Sequence, residues 1–303
     1  MKNQFLRMKI YVIAIVSSVL AIVLNFLLKN YHLDILALIL VLTVGIAHGA
    51  NDLLIIKKIK KNKHSFELNK YTFGYVSMVV LVLALFYFLP WLILTAFVFI
   101  SAYHFGEQQL QISKKILHAS SKIKTLFFMY GLSVLLGLFY FNLNFTREII
   151  FDLIKVNIPE VYFTSGFFIS LSITFLVFIF LLIKKLLQPL QVVQEILSLI
   201  LIFIVFYYSE LLFGFAIYFV FWHTIPSLKD QISYLFENQS KQKLLLYIKN
   251  ALPFWLISVI GLVVLYYLFG RENMFLSIMF AFIAAVTFPH VIVIERMFSK
   301  IKN

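Results

Sequence analysis

The chain has no cysteine in its 303 residues. That removes disulfides, iron–sulfur clusters and thiolate catalysis, and leaves the redox compartment open. Charge is scarce: 13% of residues are charged, against about 25% in an average soluble domain. There is no low-complexity segment, no repeat of fixed period and no stretch suited to a soluble domain. What remains is apolar, with 62% hydrophobic residues and a mean hydropathy of +0.97. The composition is that of an all-α polytopic membrane protein, a single transmembrane domain over 1–303. The first apolar run, Ile10 to Leu28, follows Lys2, Arg7 and Lys9 and lacks a small-residue cleavage site, so it reads as a retained helix.

About ten spans are expected, over 10–28, 34–56, 71–89, 91–106, 125–142, 161–183, 192–209, 211–228, 250–269 and 273–295. The third and fourth are separated only by Leu89-Pro90, the seventh and eighth only by Ser209-Glu210. Misreading either pair would bring the count toward eight. Lys and Arg divide unevenly among alternate connections, 22 on one side and 4 on the other. The positive-inside rule then puts both termini in the cytoplasm. The net charge of +13 belongs to these topogenic lysines and to anionic lipid headgroups, not to nucleic acid. The densest cluster, Lys57 to Lys63, reads as a solvated loop and topology anchor.

Four histidines interrupt apolar segments: His48, His104, His223 and His290. On this topology they lie on spans two, four, eight and ten, each about 18–26 Å from the outer end. Ionisable side chains in hydrocarbon are costly and mark function. Neutral imidazole is the commonest metal ligand, and four that converge could hold one transition metal. His32, His64 and His118 fall in polar loops and read as surface residues.

Each buried histidine has distinctive neighbours. Gly45 and Gly49 flank His48 and strip one face of side chains, which allows close approach. Asp52 follows one turn later. Two readings stand for it: a carboxylate that orients an imidazole, or an interfacial acid beside Lys57. Glu107 stands three residues after His104, again one turn away. Pro226 cannot donate to the carbonyl of Trp222, so a kink is expected beside His223; Pro289 likewise frees the carbonyl of Ala285 next to His290. Tyr103, Phe105, Phe221, Trp222 and Phe288 border the histidines and are candidates for the wall of an apolar pocket.

Other classes use intramembrane histidines. A b-type cytochrome would pair them on haem. A diiron desaturase needs more histidines, in clustered boxes, than the seven here. A small-molecule transporter would place acids along an ion path, and the spans hold almost none away from their ends.

Taken in order, the His-Gly-x-x-Asp at His48, Tyr-His-Phe-Gly at His104, Phe-Trp-His at His223 and Pro-His at His290 resemble the Brp/Blh family of bacterial β-carotene 15,15′-dioxygenases. The resemblance spans nearly the whole chain. It implies a non-haem Fe(II) enzyme that uses O₂ as co-substrate and splits the central double bond of β-carotene into two molecules of retinal, which typically serve a microbial rhodopsin. It carries His48, His104 and His223 over as metal ligands and catalytic residues, and His290 through the late Pro-His. Some members have a second histidine one turn after the Trp-His, where this chain has Ser227; His290 is taken as the fourth ligand. The substrate would enter from the bilayer, where a wholly apolar carotenoid resides. Asp52 and Glu107 would tune the ligands.

Overall fold

The computed structural model describes residues 2–60, 65–110, 121–236, 241–269 and 275–302, and among them there is helix and no strand. In chain order the elements are α1 (Lys2–Leu27), α2 (Asn30–Leu40), a π-helical turn π1 (Val41–Gly45), α3 (Asp52–Lys60), α4 (Ser65–Phe88), α5 (Pro90–Leu110), α6 (Ser121–Phe141) and α7 (Leu143–Ile154). There follow α8 (Glu160–Ile183), α9 (Pro189–Tyr208), α10 (Leu211–Ile217), a second π segment π2 (Tyr218–Thr224), α11 (Ile225–Leu235), α12 (Lys241–Phe269) and α13 (Phe275–Lys302). Pro90 and Pro189 open α5 and α9, where the missing N–H would have had no helical partner anyway.

Eight helical stretches among the described residues are long and apolar enough to cross a membrane. The chain is a polytopic helical membrane protein. The difference from ten does not come from the two tight pairs: α4 and α5 are separate helices on either side of Leu89, and α9 and α10 on either side of Ser209 and Glu210. It comes from spans two and four. Span two is not one helix. It leaves α geometry at π1, turns at His48 to Asn51 and restarts at Asp52. Span four is helical as α5, but Ser101, His104, Glu107, Gln108 and Gln109 make its last third polar. A further correction concerns residues 143–160, expected as a plain connection, which contain α7.

Long apolar side chains on several helices face outward, among them Phe26, Phe73 and Tyr267. In hydrocarbon this exposure has no penalty, since lipid is as apolar as a protein core. Burial therefore reports packing depth. Leu211–Leu235, which carries His223, is 78% buried, whereas the α12 span Gln242–Leu268 is 11% buried. The first is an interior element and the second mainly lipid-facing.

The chain forms two compact units: Met1–Val41, Ser101–Glu148 and Asn157–Pro226 make the first, and Leu42–Ile100, Ile149–Val156 and Ser227–Asn303 the second. In the first unit α6 packs on α8 and α9, α1 on α9, and α10 on α2. Its tightest crossing joins α5 and α6 through two glycines. A Cβ placed at Gly106 would lie 1.8 Å from the carbonyl oxygen of Phe127, and one at Gly131 would lie 1.8 Å from that of Ala102. Only glycine at both positions lets the two backbones meet. Glu195 of α9 adds a polar tie: its Oε2 accepts hydrogen bonds from Gln109 of α5 (3.2 Å) and Tyr130 of α6 (3.1 Å).

In the second unit α13 packs against α4, α3 and α12. Val82, Phe86 and Ile93 bury against Ala284 and Ala285, and Ile55 buries against Val293, Ile294 and Met297. Lys58 donates to the carbonyls of Tyr234 and Leu235, satisfying acceptors that the end of α11 leaves open.

Candidate metal centre

His48, His104, His223 and His290 are all buried, none more than 6% exposed. His32 is exposed, and His64 and His118 lie outside the described residues. Within each unit the buried histidines form a pair. One member of each pair stands on irregular backbone and the other on regular α-helix.

In the second unit the pair is His48 and His290, with ring centroids 4.6 Å apart and planes nearly perpendicular at 87°. His48 is in the turn that interrupts span two, and His290 follows Pro289 inside the continuous α13. Non-helical backbone at membrane depth requires substitute hydrogen bonds. α12 provides them. Trp255 donates through Nε1 to the carbonyl of Leu42 in π1 (2.6 Å). Asn51 donates to the backbone carbonyl of Tyr247 (3.0 Å). The Tyr247 hydroxyl donates to Oε1 of Gln231 (2.6 Å) and lies 3.4 Å from the carbonyl of His48. A Cβ at Gly49 would stand 3.7 Å from Nδ1 of His290, so this glycine faces that ring.

Hydrogen bonds at the Nδ1 atoms set the tautomers of this pair. Nδ1 of His48 bonds the carbonyl of Gly45, which can only accept. Nδ1 of His290 contacts both carboxylate oxygens of Asp52, at 3.0 and 2.9 Å. With acceptors at both Nδ1 atoms, the proton of each neutral ring sits on Nδ1 and the lone pair on Nε2. A carboxylate behind an imidazole is the usual arrangement behind a metal-binding histidine. Asp52 is 1% exposed and its carboxylate faces an imidazole. It serves the histidine of α13, not the one four residues before it. It also accepts from the hydroxyl of Tyr75 on α4 (2.8 Å).

In the first unit the pair is His104 on α5 and His223 on π2, with centroids 4.8 Å apart and an interplanar angle of 72°. Pro226 accounts for the local backbone. It has no N–H for the carbonyl of Trp222, and the helix has widened just before it: the Ile225 N–H bonds the carbonyl of Val220, five residues back. The expected kink is thus a π segment with His223 in it. Phe219 stacks on His223 at 13°, and Phe105 lies 4.6 Å from the same ring. Trp222 turns to α1, where its Nε1 donates to Ser18 (2.9 Å) and Tyr11 meets it edge-on.

The other predicted residues take varied positions. Phe105 is buried against Tyr218, Phe219 and His223. Tyr103 packs edge-on to Phe127, Phe221 is half-buried, and Phe288 packs on the Val82–Phe86 cluster. Glu107 is buried on α5. Ser227 is buried and accepts a hydrogen bond from Gln231.

Among the described residues no group of three or more His, Cys, Asp or Glu side chains is arranged to hold a metal ion. The donors come instead as two imidazole pairs, one in each unit. The donor chemistry fits a divalent transition metal that accepts imidazole, iron included: the donors are imidazole nitrogens and there is no thiolate.

The family model described as Beta-carotene 15,15'-dioxygenase matches residues 39–298, a stretch that contains all four histidines, Asp52 and Tyr75. The chain belongs to this family. Neither the curated proteins nor the solved structures gave a match. The match begins within α2, so Ser18 and Tyr11, which anchor Trp222 beside His223, lie outside the matched residues.

Tyr75, Tyr247, Gln231 and Glu195 escaped the sequence reading. Gln231 stands beside Lys229 and Asp230, and Glu195 beside Gln194, and neither spacing nor periodicity marks any of the four. Asp52 was found because it stands next to a histidine motif.

Proposed function

We propose that this family member is a non-haem iron dioxygenase of the bacterial inner membrane that cleaves β-carotene at its central 15,15′ double bond, giving two molecules of retinal for a microbial rhodopsin. His48, His104, His223 and His290 are the proposed iron ligands. The observation that carries the reading is the state of the His48–His290 pair: each Nδ1 is held by an oxygen acceptor, which leaves Nε2 as the lone-pair nitrogen. Ser227 is already engaged with Gln231, and His290 has a carboxylate behind it, which supports His290 as the fourth ligand.

Fe(II) bound by imidazoles would supply the capacity to activate O₂. The reaction balances without protons or added electrons: one C=C bond is broken, both oxygen atoms are taken up, and two C=O bonds form. Acid–base residues in the reacting step are therefore unnecessary. Asp52 holds a ring in place, and the aromatic side chains around His223 keep water from the site. The substrate is apolar and reaches the protein from lipid, so no charged recognition group is required.

Metal removal tests the cofactor. Treating detergent-purified protein with a ferrous chelator is expected to abolish retinal formation from β-carotene, and Fe(II) under anaerobic loading to restore it where Zn(II) does not. The active protein is expected to show no Soret band. Full activity in chelated protein, or a haem spectrum that tracks activity, would overturn the iron assignment.

A further inference from the structure

We infer that Tyr75, on a helix that contributes no metal ligand, is a positioning residue for His290, acting through Asp52. The inference rests on the iron reading above. Nδ1 of His290 sits 3.0 Å from one oxygen of Asp52 and 2.9 Å from the other. A donor shared so evenly does not fix how the carboxylate is turned about its own axis. The hydroxyl of Tyr75 does, because it donates at 2.8 Å to Oδ2 alone. That bond makes the two oxygens inequivalent and fixes the plane to which the imidazole aligns. It also provides a second hydrogen bond to a carboxylate that is 1% exposed, which a buried charge requires.

The surroundings suit the role. Tyr75 packs with Ile55, Val293, Ile294 and Met297, the cluster that binds α3 to α13. Asp52 begins α3 and His290 is on α13, so the phenol braces the junction of the two elements it aligns. Tyr75 lies on the half-buried face of α4 with Tyr71, Met78 and Val79, while its neighbours Gly74 and Val76 are exposed. The ring is held by packing, and the hydroxyl is free to be removed without disturbing that packing.

The test is a double-mutant cycle read as Fe(II) affinity, independent of turnover. Detergent-purified wild type, Tyr75→Phe, Asp52→Ala and the double variant are titrated anaerobically with Fe(II) in competition with ferrozine. The melting midpoint of each metal-free protein is recorded beside it. Phenylalanine keeps the ring in its cluster. In the wild-type background Tyr75→Phe is expected to weaken Fe(II) binding about tenfold. In the Asp52→Ala background it is expected to change nothing, because its acceptor is gone. Equal losses in both backgrounds would mean that Tyr75 acts through packing, and an unchanged affinity in the wild-type background would mean that it does not act on the ligand; either overturns the inference alone. Wild-type protein that binds no more Fe(II) than His48→Ala/His290→Ala would overturn the iron reading and the inference with it.

Discussion

Gly106→Val is expected to leave little folded protein in the membrane. The glycine stands two residues after His104, where α5 crosses α6, and any Cβ there would meet the Phe127 carbonyl oxygen at 1.8 Å. That neighbour is backbone, so no rotamer change relieves the contact; one helix must move. Overpacking typically costs about 1–3 kcal/mol where side chains can adjust, and this site lies at or above the upper end. Separating the helices also moves His104 away from His223, whose ring is 4.8 Å distant. Activity should therefore vanish even in the fraction that survives extraction. Gly131→Ala should behave in the same way, because its Cβ would lie 1.8 Å from the Ala102 carbonyl oxygen. Gly74→Ala is the contrast: nothing lies within 4 Å of its Cβ position, and alanine is the better helix former by about 1 kcal/mol. Detergent-resistant yield and melting midpoint decide it. Wild-type stability in Gly106→Val would show that the α5–α6 crossing is not as close as described.

Asp52→Ala carries the second large effect, on metal and not on fold alone. The substitution leaves two buried donors, Nδ1–H of His290 and the hydroxyl of Tyr75, without their acceptor. Each orphaned group costs about 1–3 kcal/mol. Losing the partner behind a ligand typically costs about 10–100-fold in metal affinity or activity. Asp52→Asn should fall between, since one amide oxygen can still accept from both donors while the negative charge is lost. The expected order of iron retained and of retinal formed is wild type, then Asn, then Ala. Unchanged iron content and turnover in both variants would remove Asp52 from the site, whatever its hydrogen bonds.

The order of these effects could not have been written from the sequence. The four histidines stood out because an imidazole in a long apolar run is costly, and Asp52 because it follows His48 so closely. Its true partner is His290, 238 positions away, and no periodicity reports a pairing across that distance. The break in span two was hidden for a related reason. Hydropathy averages over a window, and the stretch from 34 to 56 is apolar enough throughout to read as one helix. Whether its middle turns depends on contacts with α12, where Trp255 donates to the loosened backbone at Leu42 and Asn51 ties the turn to the carbonyl of Tyr247, and those contacts are tertiary. Pro226 was legible as a disturbance beside His223 but not as a π segment, because a missing N–H can be met by a kink or by a wider turn. In α5 the polar residues that brought His104 to notice are also what drop the helix from the count of apolar spans.

The most direct test is to express the chain in a bacterial host that already makes β-carotene and quantify carotenoid and retinal by chromatography, with His104→Ala and His290→Ala beside it. Loss of β-carotene with retinal as the product is expected, and neither change in the two variants at equal membrane expression. Longer or shorter apocarotenals would contradict central cleavage. No product from well-expressed, iron-supplied wild type would contradict the claim that this chain cleaves β-carotene at all.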